Sequence, residues 1–438
     1  MPRITESDKI YDLVQPLGGL FNRELRFRAY SDEPRLITRV LQLGNIGQVL
    51  DHVQRKGHFR ASVNGTGSGL DEAETFIPAI GEGLERYCTC VYAKEQFISA
   101  TAEELGDDAL DLETIPRCSN AELSDPRCSL VAPDKKAPIR WVQGLSLLDG
   151  RLVYLPVVMV YLYAGFVSRE ERIWLPITTG CAGHTSFERA LLSAILEVIE
   201  RDAISITWLQ QLPLPRIEID NVSPELAPYW KCGLRSSKEL EYFFFDATTD
   251  LGISTIYGLQ VSKANKRLTT LVSCSTSMDP GAAVIKVMRD MAACRIAFRQ
   301  PRPTPEKWED FTDIFHGASY MARSDQAHAF EFLLDSGRKR FLSEIVTLQS
   351  NDEKQALQMV LERFRRRRMD VYAVDLSTDE ALRCGVRVVR VIIPGLQPLS
   401  FHHRARYLGH SRLYEMPKQM GFPVHREDQL NRWPQPFA

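Results

Sequence analysis

The chain has 438 residues, 44% of them hydrophobic and 25% charged, with a formal net charge of -2. Its length and composition support a folded protein of two or three ordinary domains, or one large duplicated unit. The near-zero charge gives no electrostatic basis for general binding to nucleic acid or an anionic membrane. The nine cysteines, an odd number scattered along the chain, suit reduced and mostly buried thiols in a cytoplasmic protein better than a disulfide framework.

In chain order, residues 1–58 read as an N-terminal arm of short apolar pieces, and residues 59–438 as one domain with a loop-rich tail over 394–438. FRASVN (59–64) predicts a short strand running into a GTGSG turn (65–69), and the spacing of apolar residues from Asp71 to Ala93 predicts a helix. Residues 99–137 are polar and predict a peripheral excursion. IRWVQGLSLL, Asp149-Gly150 and RLVYLPVVMVYL predict a hairpin. The apolar run 152–167 is shorter than the ~18 residues that span a bilayer and contains Pro156, so it predicts a buried strand. The TTGCAG turn (178–183) leads to a long helix from Ser186 to about Gln210. Two strands follow, over 253–262 and 266–276, and then a helix from Asp279-Pro280 to about Arg299. Residues 353–368 predict a helix followed by two strands, MDVYAVDL and VRVVRVII.

The pattern Ala79-x-x-Glu82-x-x-Glu85-Arg86 returns as Ala194-x-x-Glu197-x-x-Glu200-Arg201. Glutamates three apart share one helix face, and like charges that close repel. Two such pairs, each on an apolar helix after a glycine-rich turn, call for a compensating cation. Magnesium suits, because it prefers a few carboxylates together with phosphate oxygens. Gly65 and Gly67 then read as a turn whose backbone approaches phosphate, although no Gly-Lys-Ser/Thr follows to make a P-loop. A weaker echo, Val287-x-x-Asp290 and then Arg295, makes strand, turn and acid-bearing helix recur three times, which predicts internal duplication. Cys88-x-Cys90 lacks zinc spacing. His184, His402, His403 and His410 show no metal spacing, and the arginine run at 363–368 suits a helix C-terminus.

VNGTGSGLDEAETFIPAIGEGLERY and TTGCAGHTSFERALLSAILEVIERDA closely resemble the two ATP-binding motifs of YcaO-domain proteins. DPGAAVIKVMRDMAACR resembles the third motif, VDLSTDEALRCGVRVVRVIIPGLQP the usual C-terminal block, and LVQPLGGLFNREL the opening of azoline-forming members. The resemblance implies an α/β (α+β) fold of YcaO type, with sheets flanked by helices. It also implies an ATP-dependent cyclodehydratase. In that branch a Cys, Ser or Thr side chain of a ribosomally made precursor peptide attacks the preceding carbonyl. ATP phosphorylates the resulting oxygen, and phosphate leaves as a thiazoline or oxazoline forms. Carried over by position, Glu82, Glu85, Glu197 and Glu200 look like magnesium and ATP ligands, and Arg86, Arg201 and Arg295 look like phosphate-site residues. Thr179 stands where the family often has asparagine. The tail WPQPFA (433–438) lacks only the last proline of the Pro-x-Pro-x-Pro ending of azoline-forming members, so Pro436 and Ala438 are expected to reach the active site. The implied partners are the precursor peptide, a separate leader-binding protein and an azoline dehydrogenase, with a homodimer as a further expectation and with no nucleic acid or membrane. Peptide thioamidation, and a non-catalytic nucleotide-binding subunit, are the alternatives.

Overall fold

In the computed structural model, which describes residues 9–30, 33–44, 46–48, 50, 64–236 and 239–437, three sheets each carry one acid-bearing helix. The first sheet joins β1 (Phe21–Arg28), β2 (Ile37–Leu43) and β3 (Asn64–Gly69), all antiparallel. Helix α1 (Glu72–Cys88) packs on it. The second sheet contains β4 (Ile98–Ala100), β5 (Ile139–Ser146), β6 (Leu152–Pro156) and β7 (Cys181–His184), the last lying directly before α2 (Phe187–Leu209). The third contains β8 (Arg216–Glu218), β9 (Leu240–Asp246), β10 (Thr255–Ser262) and β11 (Thr270–Thr276), with α3 (Pro280–Ala297) against β10 and β11. β12 (Lys339–Phe341) closes the third sheet parallel to β8. α4 (Glu353–Arg367) packs on α2, and β13 (Tyr372–Asp375) and β14 (Arg387–Ile392) complete the second sheet in the order β4-β5-β13-β14-β7.

Each acid-bearing helix begins at a side-chain cap that its sequence supplies. Asp71 accepts from the Glu74 N–H, Ser186 from Arg189, and Asp279 from Gly281 and Ala282, with Pro280 already set at a helical φ. The three units interlock in a ring. α1 reaches β7, α2 reaches β11, and α3 returns to β3, where Arg289 donates to the Ser68 carbonyl. Pro78 inside α1 withholds the N–H that the Glu74 carbonyl would otherwise accept, and Arg289 donates to that carbonyl instead, at 3.5 Å.

The structure changes three local expectations. GTGSG is the strand β3 rather than a turn, and half of TTGCAGHT is β7. The glycines permit this extended backbone to lie flush on a helix. A Cβ on Gly65 would stand 1.7 Å from the Ala79 carbonyl oxygen, and one on Gly67 2.1 Å from that of Thr75. The run 152–167 is not one strand, because β6 ends at Pro156 and Val157–Val160 form a helical turn. The expected boundary after residue 58 lies outside the described residues, and β2 from its N-terminal side, itself paired with β1, pairs with β3 from the other. The first sheet is therefore built across that boundary.

Gly65→Ala is expected to destabilise the protein by about 3 kcal/mol or more, since backbone must move to admit the methyl group. Gly81→Ala, where an added Cβ meets nothing within 4 Å, is expected to be neutral or slightly stabilising. Urea unfolding midpoints of the two variants check the contrast; equal midpoints would remove the packing role given to Gly65.

Candidate active site

The four glutamates of the repeated motif each accept a backbone N–H from a strand or from the turn just before one. Glu82 accepts from Thr66 on β3, and Glu197 accepts from Gly180 just ahead of β7, at 2.9 Å. The second glutamate of each pair crosses to the next unit. Glu85 accepts from Gly183 on β7 at 2.8 Å, and Glu200 accepts from Thr276 on β11 at 3.2 Å. One glutamate thus fastens its own strand–helix unit and the other fastens the neighbour, which brings the acids to the centre of the ring. Gly180 sits at φ +84° with the Val391 carbonyl oxygen 2.4 Å from any added Cβ, so the turn that aims its N–H at Glu197 requires glycine.

Cations stand among these acids. Arg86 pairs with Glu82 at 2.6 Å, and Arg201 with Glu197 and Glu200, both at 3.2 Å. Lys286 on α3 pairs with Glu200 at 3.2 Å and with Asp290 at 3.5 Å. Burial raises the pKa of Glu82, Glu85 and Asp290 above the ordinary carboxylate range, Glu85 the furthest. Like charge adds to it: Glu197 acts on Glu85, Asp290 and Glu197 on Glu82, and Glu200 on Asp290. The Glu82 and Glu197 side chains nevertheless stay 33% and 26% exposed, so the cluster lines an open recess rather than a sealed core.

The donor set fits magnesium. It is made of hard carboxylate oxygens, and five carboxylates against four cations, with Arg289 beside Asp290 counted, leave negative charge uncompensated once all are ionised. Among the described residues no three Asp, Glu, His or Cys side chains close around one point. Magnesium takes a few carboxylates and fills its remaining positions with water and phosphate oxygens.

A pH dependence follows from the raised carboxyl groups. At these groups the folded state holds protons that the unfolded chain has released, so their contribution to stability is greatest below the ordinary carboxylate pKa of about 4 and falls as pH rises through the raised values. In metal-free protein, denaturant unfolding at pH 5.5 and pH 8 (chosen to lie above that ordinary range) is expected to show this loss. Magnesium and a non-hydrolysable ATP analogue are expected to offset it at the higher pH. A metal-free stability that rises with pH would contradict the assignment.

Sequence expectations about single residues fared unevenly. Glu82, Glu85, Glu197, Glu200, Arg86 and Arg201 meet in the ring, and Thr179 lines a recess beside Arg201. Arg295 is turned away. It is 1% exposed and donates to Gln260 and to the Leu268 carbonyl, on the side of α3 opposite Lys286, where it ties the helix to β10 and the strand connection. Gly65 and Gly67 lie flush on α1, which leaves no room for a Cβ at either position. In the tail, Pro436 is buried and Ala438 lies outside the described residues. Phe437 is the residue that arrives, its ring centroid 4.8 Å from the Arg201 guanidinium carbon. Sequence reasoning does not single out Lys286, although its place one helical turn before Asp290 is a signal. Asp202, next to Arg201, is fully buried and accepts from the Gln397 N–H at 2.8 Å and from Arg412. It braces the segment after β14 against α2. None of the nine cysteines, all among the described residues, forms a disulfide, and six of them are buried. Among the described residues no helix is long and apolar enough to cross a membrane.

A family model described as YcaO cyclodehydratase, ATP- and Mg2+-binding, matches residues 64–397. Solved structures share the fold. A heterocyclase in complex with substrate and cofactor superposes with a TM-score of 0.81 at 19% identity, covering 99% of this chain and 57% of its own. The present chain thus spans little more than half the length of that heterocyclase. YcaO from Methanopyrus kandleri bound with AMPPCP and Mg2+ gives a TM-score of 0.60 at 17% identity, covering 86% of each chain. A chain of the E. coli microcin synthetase McbBCD complex with pro-MccB17 bound gives 0.63 at 14% identity, covering 97% of this chain and 99% of that one. With three-quarters of its length matched and the two glutamate pairs of its repeated motif drawn together, this chain belongs to the YcaO family of ATP- and Mg2+-binding proteins.

Proposed function

We propose that this chain is an ATP-dependent cyclodehydratase that forms azolines on the backbone of a ribosomally made peptide. The observation that carries the reading is the convergence of Glu82, Glu85, Glu197, Glu200 and Asp290 with Lys286 and Arg201, drawn from three strand–helix units. Phosphoryl transfer asks mainly for positioning and charge neutralisation, and this ring supplies both. Magnesium, held by the glutamates, would neutralise charge on the phosphoryl oxygens. Arg201 and Lys286 place fixed positive charge beside the same space, and the backbone N–H groups of Thr66, Gly180, Gly183 and Thr276 fix the carboxylate orientations. The side chain of a Cys, Ser or Thr attacks the preceding carbonyl carbon, and the carbonyl oxygen takes the γ-phosphoryl group of ATP. That oxygen then leaves as phosphate, so each ring removes one water from the peptide and yields one ADP. The Pro434-Gln435-Pro436 segment and the approach of Phe437 to Arg201 support this branch over thioamidation.

A flexible peptide loses ordering entropy on binding that a compact nucleotide site offsets poorly, so the reading includes a separate leader-binding protein, with an azoline dehydrogenase acting afterwards. The test is co-expression with a short Cys/Ser/Thr/Gly-rich peptide and the candidate partner encoded beside the gene, each omitted in turn, followed by mass spectrometry of the peptide. Loss of one water per ring, with ADP and phosphate formed in equal amount and only when the partner is present, is the expected result. Exchange of oxygen for sulfur would assign the chain to thioamidation, and an unmodified peptide with ATP bound but not consumed would make it a non-catalytic subunit.

A further inference from the structure

Arg390 on β14 is a buried cation, 3% exposed, that no carboxylate answers among the described residues. Its Nε donates to the Met159 carbonyl at 3.0 Å, and its Nη1 to the Ile177 carbonyl at 2.8 Å and to the Cys181 sulfur at 3.3 Å. Burial pushes the Cys181 thiol up to about 11, so it meets the guanidinium as a neutral group. Two carbonyls and a thiol hold the fork in place without cancelling its charge, and an unpaired charge out of water is costly. The third nitrogen, Nη2, makes no hydrogen bond, yet it is not closed off by protein. It opens on a narrow recess between α2 and β14, walled by Met159, Val198 and Ile392 and edged by Thr179 and Arg201. No Asp or Glu lines this recess, whereas two arginines do. Arg201 pairs with Glu197 and Glu200 as well, so it stands between the acid ring and the recess.

We propose that this recess receives the phosphate that leaves the activated amide, with Arg390 Nη2 donating to its oxygens. The inference rests on the phosphoryl-transfer reading above and adds a site to it. Phosphates bound to magnesium need carboxylates close by to hold the metal. A lining of two arginines and no acid suits phosphate that has parted from the metal. The free room is about 30 Å3, enough for about two water-sized groups. Two phosphate oxygens can enter while the rest of the ion stays at the mouth, by Thr179 and Arg201. The step balances without a further reactant. The C–O bond to the phosphorylated oxygen breaks, and its electron pair goes to the departing phosphate as the amide nitrogen forms C=N and loses its proton. That proton passes to the phosphate, which leaves as hydrogen phosphate. Charge gathers on the phosphate oxygens as the bond breaks, and a fixed guanidinium between apolar walls stabilises it without reorganising.

The test is calorimetric titration of inorganic phosphate into the protein saturated with magnesium-ADP and free of peptide. Wild type is expected to take up phosphate alongside ADP. Arg390→Gln is expected to weaken that binding about ten- to hundredfold, the loss of a charge-assisted hydrogen bond, with the affinity for a non-hydrolysable ATP analogue unchanged. Arg390→Lys, which keeps the charge and loses the fork, is expected to fall between the two, and thermal midpoints show whether each variant is folded. No uptake by wild type, or equal uptake by folded Arg390→Gln, would overturn the site. A matching loss of affinity for the ATP analogue would overturn it in favour of a nucleotide contact. Should neither variant fold, a bromide-soaked crystal of the wild type decides: anomalous density against Arg390 Nη2 supports the site, and its absence there overturns it. The azoline reading fails separately. A peptide that gains sulfur in exchange for oxygen sinks that reading and leaves this site standing, because the amide oxygen departs as phosphate there too.

Discussion

Replacing Glu197 by glutamine is expected to lower magnesium-dependent ATP turnover by at least about a hundredfold, the scale at which a single preorganised electrostatic contact acts. The fold should survive. The remaining amide oxygen still accepts the Gly180 N–H, which is the contact that fastens the turn before β7 to α2. What disappears is the charge, and with it the attraction for a hard cation and the counter-charge for Arg201. The measurement is phosphate release over a magnesium titration, with a thermal midpoint to show that the variant is folded. Wild-type turnover in the folded variant would end the assignment of Glu197 as a metal ligand. Lys286→Met offers a second view of the same ring. It leaves Glu200 and Asp290 without their shared cation, so it should tighten the affinity for magnesium alone while slowing ATP turnover.

Removal of Pro434–Ala438 is expected to suppress ring formation by about a hundredfold, the cost of a misplaced reacting group, while ATP affinity changes little. The tail is not a loose end. Asn431 donates its N–H to the Leu209 carbonyl at 2.8 Å, and the Trp208 indole donates to the Trp433 carbonyl at 3.2 Å. Gly317 lets the Gln435 backbone lie close, with its carbonyl oxygen 2.3 Å from where a Cβ would stand. Phe437 then covers Arg201, 5% exposed and stacked on the guanidinium. Truncation leaves the glutamates and their backbone donors in place, which is why binding and chemistry should separate. Peptide mass and nucleotide affinity measured on the same truncated protein decide the matter. An unchanged cyclisation rate would put the tail outside the reaction and reopen the thioamide branch.

The sequence by itself determined the features that a single helix or strand fixes locally. The 3.6-residue period placed Glu82 with Glu85, and Glu197 with Glu200, on one helix face each. The caps at Asp71, Ser186 and Asp279 set where the three helices begin, and recurrence of the unit announced the duplication. The two glycine-rich segments were visible as punctuation, but their role was not. Gly65 and Gly67 are explained by a helix lying 1.7 to 2.1 Å from any Cβ they might carry, and no spacing along the chain encodes that approach.

Only the tertiary structure decided which backbone donor meets which acid. Glu85 and Gly183 are 98 positions apart, and Glu200 and Thr276 are 76 apart, so their pairing depends on how three sheets close into a ring. The same packing put Lys286 inside the ring and Arg295 outside it, although both belong to α3. The two lie on opposite faces of that helix, and only the position of β10 says which face looks inward. It also brought Phe437 to Arg201. Periodicity along a chain fixes the face of an element. What that face meets is a matter of long-range packing, and in this protein the chemistry is assembled where three such faces converge.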